Sequence, residues 1–239
     1  MAKKSLHIIH LYPKEMNIYG DTGNVLILRK RLEWRGIEAQ ISLVGVGQKI
    51  PADADIVVGG GGQDAGQDKI QDDLQEKAAS IHKLADNGVV MLMVCGMYQL
   101  FGQSFTTQEG AVIRGIGVLP LETVGGKERH IGNTRYGTDF GELAGYENHS
   151  GMTTIDDKSL SLGTPLLGAG NNGSDRTEGC VVKNVFGTYS HGPLLSKNPR
   201  FADELLGRAL ERKYPGAQLT PLNDELEMKA YEFAVKRPR

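Results

Sequence analysis

The sequence has few cysteines, a single tryptophan and no long apolar run. Two cysteines in 239 residues cannot build a disulfide framework, and no pairs of Cys and His have the spacing of a zinc site. No run approaches the roughly 20 apolar residues that span a bilayer, and the N-terminus lacks the apolar region of a signal peptide. We therefore expect a protein of the reducing cytoplasm, with no transmembrane segment and no metal site.

Neither sign of charge dominates the sequence. The 27 Lys and Arg residues are matched by 29 Asp and Glu, and the basic residues are scattered. This balance argues against a nucleic-acid-binding protein, which needs a basic surface for the phosphate backbone. The hydrophobic fraction of 39% and the length suit one large globular domain. We predict a single domain over residues 1–239, with a C-terminal helical extension at about 220–239.

The first half alternates strand patterns with helical patterns. The pattern predicts strands at 6–12, 38–44, 55–58 and 89–94 and helices at 24–35 and 70–85. This alternation predicts an α/β fold with a mostly parallel central sheet and helices on both of its faces. The second half is rich in β and turn signals, with strands predicted at 129–138, 145–153 and 181–190 and helices at 199–213 and 221–236.

Cys95 is the strongest candidate for a reactive side chain. It follows a buried-strand run directly and precedes Gly96 and a helical pattern, which is the layout of a nucleophile elbow. Such a turn lifts the side chain above the sheet and directs it at a helix N-terminus, which lowers the pKa of a thiol. The alternative is a small core residue, because free Cys is often buried. Cys180, within another strand pattern, is predicted to be a core residue.

A thiolate nucleophile requires a base and a site for the oxyanion. The local pattern favours His191 and His149 equally as the base, with His130 behind them. For the oxyanion, the glycine run 59–62 follows a buried strand and does not match a phosphate-binding loop. Its backbone N–H groups, at Gly61 and Gly62, together with that of Gly96, are the predicted oxyanion hole.

Four motifs resemble segments of one enzyme family. The stretch 95–99, Cys-Gly-Met-Tyr-Gln, resembles the elbow of class I glutamine amidotransferases, where a Gln four residues after the nucleophile is usual. The stretches 189–193, Tyr-Ser-His-Gly-Pro, and 146–151, Tyr-Glu-Asn-His-Ser-Gly, resemble motifs of its cobyric-acid-synthase-type branch. The stretch 17–24, Asn-Ile-Tyr-Gly-Asp-Thr-Gly-Asn, is similar to the GatD family, the glutaminase subunits that work with the Mur-ligase-like MurT. The resemblance covers nearly the whole chain.

The resemblance implies a class I glutamine amidotransferase-like fold and a division of labour between two subunits. The chain would hydrolyse L-glutamine and pass ammonia to a MurT-like partner, which amidates D-glutamate of lipid II to D-isoglutamine in peptidoglycan synthesis. It implies that Cys95 is the nucleophile, that His191 is the base and that Arg129 holds the glutamine substrate. Without the resemblance, Arg129 would be a solvated strand residue. No cofactor is expected in this chain, because ATP and Mg would bind to the partner.

Two departures from the wider class are visible. Pro193 stands two residues after His191, where most class I amidotransferases carry a Glu that orients the imidazole. Three alternatives follow: another carboxylate of this chain orients the imidazole, a carboxylate of the partner does so, or no carboxylate does. Our hypothesis is a carboxylate of the partner. The elbow also carries Met93 and Met97 where glycines are common, which questions the geometry of the turn.

Three other functions are compatible with parts of the sequence. The first is an amidotransferase for another acceptor, such as a corrinoid. The second is a non-catalytic scaffold subunit, whose Cys95 would not react selectively with an electrophile that mimics glutamine. The third is a redox or glyoxalase-like cysteine protein, in which Glu15 would be the acidic residue of the first strand-to-helix loop.

Overall fold

Two β-sheets and six α-helices form the part of the chain that the computed structural model describes, residues 3–238 without the side chains at 64 and 65. The strands are β1 Ser5–Leu11, β2 Glu38–Val44, β3 Ile56–Gly59, β4 Val90–Val94, β5 Ser104–Thr106, β6 Val112–Arg114, β7 Leu121–Thr138, β8 Gly141–Ile155, β9 Gly163–Leu167, β10 Cys180–Val182 and β11 Val185–Thr188. The helices are α1 Thr22–Glu33, α2 Asp64–Asp86, α3 Gly96–Leu100, α4 Leu194–Lys197, α5 Pro199–Lys213 and α6 Glu225–Val235, with a short 3-10 helix at Lys158–Leu160.

The main sheet has the strand order β10-β11-β4-β3-β1-β2. All neighbouring strands are parallel except β10 and β11, which form an antiparallel hairpin. Every residue of β3 and β4 is buried, as expected for central strands that are covered on both faces. The predicted α/β fold with a mostly parallel sheet is therefore confirmed. Among residues 3–238, no helix combines the length and apolar character that a bilayer-spanning helix requires.

The second sheet contains β6, β5, β7 and β8 in that order, with β9 paired to β7. Its centre is the long antiparallel pair β7 and β8, of 18 and 15 residues. The predicted strands 129–138 and 145–153 are the inner parts of this pair, which extends beyond them at both ends. The register shifts between Gly125 and His130, so the pair contains an irregularity close to Arg129. This sheet lies over the carboxyl end of the main sheet, because Tyr146 of β8 pairs with His191.

The strand predicted over 181–190 is wrong, because the chain reverses there. β10 and β11 are joined by a tight turn at Lys183, whose φ of 55° is a value that glycine usually takes. The turn consists of Lys183 and Asn184 and contains no glycine, so the pattern of apolar residues runs through it without a break. The reversal sets β11 parallel to β4 and pairs Thr188 with Val94. The final helix also begins later than predicted, at Glu225.

A buried charged cluster fastens the C-terminal part of the chain to the domain. The guanidinium of Arg31, on α1, donates to the carboxylates of Asp203 at 2.6 Å and Asp224 at 2.8 Å. These contacts join α1 to α5 and to the segment that precedes α6. Leu226 and Phe233 of α6 stay largely exposed. The extension predicted at 220–239 is thus held near its start by Arg31 and at Pro238, whose carbonyl accepts from Asn133 at 2.6 Å, and it has one exposed apolar side.

We predict that Leu92→Ala, at the centre of β4, lowers the free energy of unfolding by about 2–5 kcal/mol, because a fully buried side chain is replaced by a cavity. Leu226→Ala is the matched control, since that leucine is 76% exposed, and its effect should stay within about 0.5 kcal/mol. Urea denaturation of the isolated chain measures both. Similar effects of the two substitutions would contradict the burial described here.

Candidate active site

Cys95 lies at the apex of a strained turn between β4 and α3. Its backbone has φ 50° and ψ −105°, a conformation that a residue with a side chain adopts at a cost of about 1–3 kcal/mol. The N–H of Cys95 donates to Thr188 O at 2.8 Å, which holds the turn against β11. The elbow predicted from the sequence is therefore present, although α3 extends only from Gly96 to Leu100.

The two methionines of the elbow fit because a neighbouring strand provides the space. A methyl group on Gly59, the last residue of β3, would lie 2.9 Å from both Met93 Sδ and Met97 Cγ. Gly96 is also confined, since a methyl group there would lie 2.7 Å from Met16 Cε. The elbow has methionines where glycines are common, and Gly59 on the neighbouring strand leaves the space that these side chains need. Met93 and Met97 do not disturb the turn.

His191 and Cys95 converge on one point above the sheet. A methyl group on Gly61 would lie 2.8 Å from His191 Cε1 and 3.4 Å from Cys95 Cβ. His191 follows β11 and is held by backbone hydrogen bonds with Tyr146, at 2.7 and 3.3 Å, while its ring lies 4.3 Å from that of Tyr19. The structure therefore brings together the predicted nucleophile and the predicted base.

The imidazole of His191 is neutral in the resting site. Burial, with a smaller contribution from the nearby His149, lowers the pKa of His191 to about 3. A neutral imidazole is able to take a proton from a thiol, which is what a general base must do. The sequence favours His191 and His149 equally as the base, and in the structure His191 has the position for this role.

Asp21 supplies a carboxylate to the same cluster. Its Oδ2 lies 3.9 Å from His191 Nδ1 and accepts a hydrogen bond from Gly61 N at 2.7 Å. Burial raises the pKa of Asp21 to about 6, so the group is mostly ionised at neutral pH and stabilises an imidazolium that forms nearby. Asp21 is therefore the candidate within this chain for the carboxylate that orients His191. In the sequence, this carboxylate is visible only as a member of the 17–24 motif, and the motif alone does not indicate that Asp21 lies beside His191.

Pro193, in the position of the expected Glu, serves packing. A methyl group on Gly23 would lie 2.3 Å from Pro193 Cγ, so the proline ring lies directly against the first turn of α1. This contact brings the start of α1, and with it Asp21, close to the turn that carries His191. The replacement of Glu by Pro and the position of Asp21 are therefore parts of one arrangement.

The predicted oxyanion role of Gly61 needs correction. Its N–H already donates to Asp21, so it points at the carboxylate and not at the cavity. Gly62 lines the cavity, and its nitrogen would lie 3.1 Å from a methyl group on Gly96. Gly62 and Gly96 remain the predicted donors.

A cavity of about 330 Å³ opens beside Cys95. This volume is within the range of small-molecule sites. Its lining residues come from the second sheet, from helices α2 and α3 and from the loops that follow strands of the main sheet: Tyr19, Gly62, Gln63, Gln67, Cys95, Gln99, Phe105, Arg129, Asn148, His149, Ser150 and Gly151. Arg129 donates to Asn148 Oδ1 at 2.6 Å and to Tyr19 Oη at 3.3 Å. The guanidinium predicted to hold substrate is therefore part of the cavity wall.

A chain of buried hydrogen bonds connects the elbow to the second sheet. Gln67 donates to Gln99 at 2.7 Å, and Gln99 donates to the hydroxyl of Tyr189 at 3.1 Å. That hydroxyl also bonds to Thr153 at 2.6 Å, which bonds in turn to Thr123 at 2.7 Å. Gln99 thus links α3 to the segment that leads to His191. This link sets the distance between the elbow and His191.

The 146–151 motif has a structural explanation. Glu147 is fully buried and accepts from the backbone N–H groups of Ala169 and Gly170 at 3.0 and 3.3 Å. A methyl group on Gly151 would lie 2.4 Å from Gln99 Nε2, so only glycine allows the strand to approach the elbow. The Glu fixes a neighbouring loop, and the Gly brings β8 onto the nucleophile.

Comparison with known proteins agrees with this site. The chain belongs to the CobB/CobQ-like glutamine amidotransferase family, whose domain profile matches residues 7–199. It is 38% identical over 231 residues to the lipid II isoglutaminyl synthase (glutamine-hydrolysing) subunit GatD of Streptococcus pneumoniae, covering 95% of this chain and 86% of that protein. It is 34% identical to the protein of the same name from Staphylococcus aureus, covering 97% of this chain and 96% of that protein.

Solved structures share the fold at low sequence identity. PurLQS from Thermotoga maritima aligns with a TM-score of 0.56 and 15% identity, covering 98% of this chain and 100% of that chain. A crystal structure of a glutamine amidotransferase aligns with a TM-score of 0.58 and 14% identity, covering 84% and 98%. The class I glutamine amidotransferase fold inferred from the resemblance is confirmed.

We predict opposite effects of Asp21→Asn on stability and on activity. Between pH 3.8 and about 6, the folded chain binds more protons at Asp21 than the unfolded chain, so stability falls as pH rises through this window. The amide still accepts from Gly61 without a buried charge, so the free energy of unfolding at pH 7 should rise by about 1–3 kcal/mol. Glutamine hydrolysis should fall at least about 10-fold, because the charge that stabilises the imidazolium is lost.

Unfolding titrations at pH 4 and 7, with glutamate release, measure both effects. The difference between the unfolding free energies of variant and wild type at each pH gives the contribution of Asp21 alone. This subtraction is needed because the lowered pKa of His191 makes stability rise with pH, opposite to the effect of Asp21. Asp72→Asn, on an exposed part of α2, is the control. Unchanged hydrolysis in Asp21→Asn would leave two alternatives, a carboxylate of the partner or no orienting group.

Proposed function

We propose that this chain is the glutaminase subunit of a lipid II isoglutaminyl synthase. It hydrolyses L-glutamine with Cys95 and His191 and delivers the ammonia to an ATP-dependent ligase subunit, which forms D-isoglutamine from D-glutamate in the lipid II stem peptide. The two GatD relatives support this assignment, because each aligns over most of both sequences. The observation that carries the proposal is the convergence of Cys95 and His191 on Gly61 beside a cavity that contains Arg129.

The first half of the proposed reaction forms a thioester. Arg129, which is exposed at the cavity, holds the α-carboxylate of glutamine by a charge-assisted contact. His191 removes the thiol proton of Cys95, and the sulfur attacks the side-chain amide carbon. The N–H groups of Gly62 and Gly96 stabilise the oxyanion. His191 then returns the proton to the leaving nitrogen, and the C–N bond breaks to release ammonia.

The second half regenerates the enzyme. A water molecule gives a proton to His191 and attacks the γ-glutamyl thioester carbon. The C–S bond breaks, the thiolate regains the proton, and glutamate leaves. Asp21 stabilises the imidazolium that forms in both halves, since its ionised carboxylate lies on the Nδ1 side of the ring.

The acceptor chemistry belongs, in this proposal, to a MurT-type Mur-ligase-family subunit. Activation of a carboxyl group consumes ATP with Mg, and we assign both to the partner, together with the binding of lipid II. Glutamine and ATP are cytoplasmic metabolites, so the proposed reaction takes place in the cytoplasm. The exposed apolar side chains of α6, Leu226 and Phe233, are available for contact with another subunit.

We predict that Cys95→Ala abolishes glutamine-dependent amidation by the assembled complex, because no thioester can form, but spares amidation with added ammonium. His191→Ala should give the same pattern. Mass spectrometry of the amidated lipid II measures both reactions. Cys180→Ala is the matched control, because Cys180 is buried in β10 away from the cavity, and it should retain glutamine-dependent activity. Loss of both activities in Cys95→Ala would indicate a structural role.

We also predict that glutamine hydrolysis depends on the ligase subunit. Addition of the partner should raise the rate at least about 10-fold, because catalysis in one subunit without the other would waste ammonia. Glutamate release with and without the partner measures this. Full activity of the isolated chain would show that no group of the partner is needed at the site.

A further inference from the structure

His149 lies in the cavity wall and has no part in the amide hydrolysis described above. It is 3% exposed, and its ring stacks on that of Tyr189 with centroids 3.7 Å apart and planes at 8°. Its Nδ1 donates to Gly151 O at 2.9 Å, so the proton of the neutral ring is on Nδ1. These two contacts fix both the orientation and the tautomer of the ring. The other nitrogen, Nε2, is left as an acceptor only.

The Nε2 atom of His149 is buried and has no hydrogen-bond partner among residues 3–238. A buried acceptor without a partner costs about 1–3 kcal/mol, and native structures contain few of them. Because His149 lines the same cavity as Cys95 and Arg129, a molecule bound there is able to supply the missing N–H. Other buried acceptors in the described chain also lack partners, but His149 combines one with a place in the wall of the cavity beside Cys95.

The cavity wall offers an ammonium group few side-chain acceptors, among them His149 Nε2, Gln63 and Ser150. None of the described side chains that line it is a carboxylate, so an ammonium group finds no acidic partner. Two other acceptors are already used, because Asn148 Oδ1 accepts from Arg129 and Gln99 Oε1 accepts from Gln67. Burial is the main cause that lowers the pKa of His149 to about 4, so the ring is neutral and does not repel a cation at neutral pH.

We propose that His149 Nε2 accepts a hydrogen bond from the α-ammonium group of the substrate glutamine. The α-ammonium and the α-carboxylate share one carbon atom, so a carboxylate on Arg129 brings the ammonium to the adjacent part of the wall, where Asn148 and His149 lie. The site then selects free glutamine over carboxamides whose α-nitrogen is missing or acylated. This inference rests on the proposed function, and His149 is a substrate-binding residue within it.

The test compares two ligands on two proteins. The parent is the complex that carries Cys95→Ala, in which neither ligand is turned over, and the variant adds His149→Phe, which keeps the stack on Tyr189. L-Glutamine is compared by calorimetry with glutaramic acid, the same molecule without its α-amino group. We expect His149→Phe to weaken glutamine binding about 10–100-fold and to change glutaramic acid binding less than about 3-fold. His130→Phe, at the paired position of β7, is the matched control and should change neither.

Equal weakening of both ligands, or no change for glutamine, would overturn the inference. A measurement that needs no substitution at His149 is ¹⁵N NMR of labelled histidine in the parent complex. The Nε2 resonance should move upfield with glutamine, as for a nitrogen that accepts a hydrogen bond, and stay in place with glutaramic acid. An unmoved resonance with bound glutamine overturns it. If glutamine does not bind to the parent and the wild-type complex does not hydrolyse it, the proposed function itself has failed.

Discussion

One backbone hydrogen bond, from Cys95 N–H to Thr188 O, controls the geometry of the site. It extends the parallel pairing of β4 with β11 by one residue, beyond the point where the strand β4 ends. The unfavourable φ of Cys95 persists because this bond and the strands on either side hold it. His191 lies three residues beyond Thr188, so the same bond sets both members of the catalytic pair. Their separation is therefore fixed by strand register, without a flexible loop.

Buried polar groups divide into two kinds around this pair. Gln67, Gln99, Tyr189 and Thr153 have their hydrogen bonds satisfied by one another, and such a network gives rigidity at little cost in stability. Asp21 and His149 differ, since Asp21 is a buried carboxylate and His149 has a buried Nε2 without a partner among residues 3–238. Groups of this second kind reduce stability in the resting protein and concentrate where substrates bind. Both lie in or beside the cavity that opens at Cys95.

Sequence patterns were sufficient for the main sheet and for the turn that carries Cys95. The buried run 89–94 and the glycine after Cys95 gave an elbow, because strand length and turn chemistry are local properties. The hairpin at Lys183 was missed, since a lysine gives no sign of a positive φ. The partner of His191 could not be predicted, because the contact with Asp21 depends on how α1 packs against Pro193. The oxyanion role predicted for Gly61 was wrong for the same reason. The direction of its N–H depends on Asp21, which is 40 residues away in the sequence.

The two sheets contribute different parts of the site. Cys95, His191 and Asp21 belong to the main sheet and its loops, while Arg129 and His149 belong to the long pair β7 and β8. The reactive side chains and most of the cavity wall thus lie in separate layers, which are joined by the pairing of Tyr146 with His191, the Thr153–Tyr189 hydrogen bond and the stack of His149 on Tyr189. Within β7 and β8, Arg129 and His149 line the cavity, whereas Tyr146 and Gly151 hold the imidazole and the elbow in place. Evolution toward new nitrogen donors is therefore confined to the cavity-lining positions of this pair, since its other positions support the reactive groups.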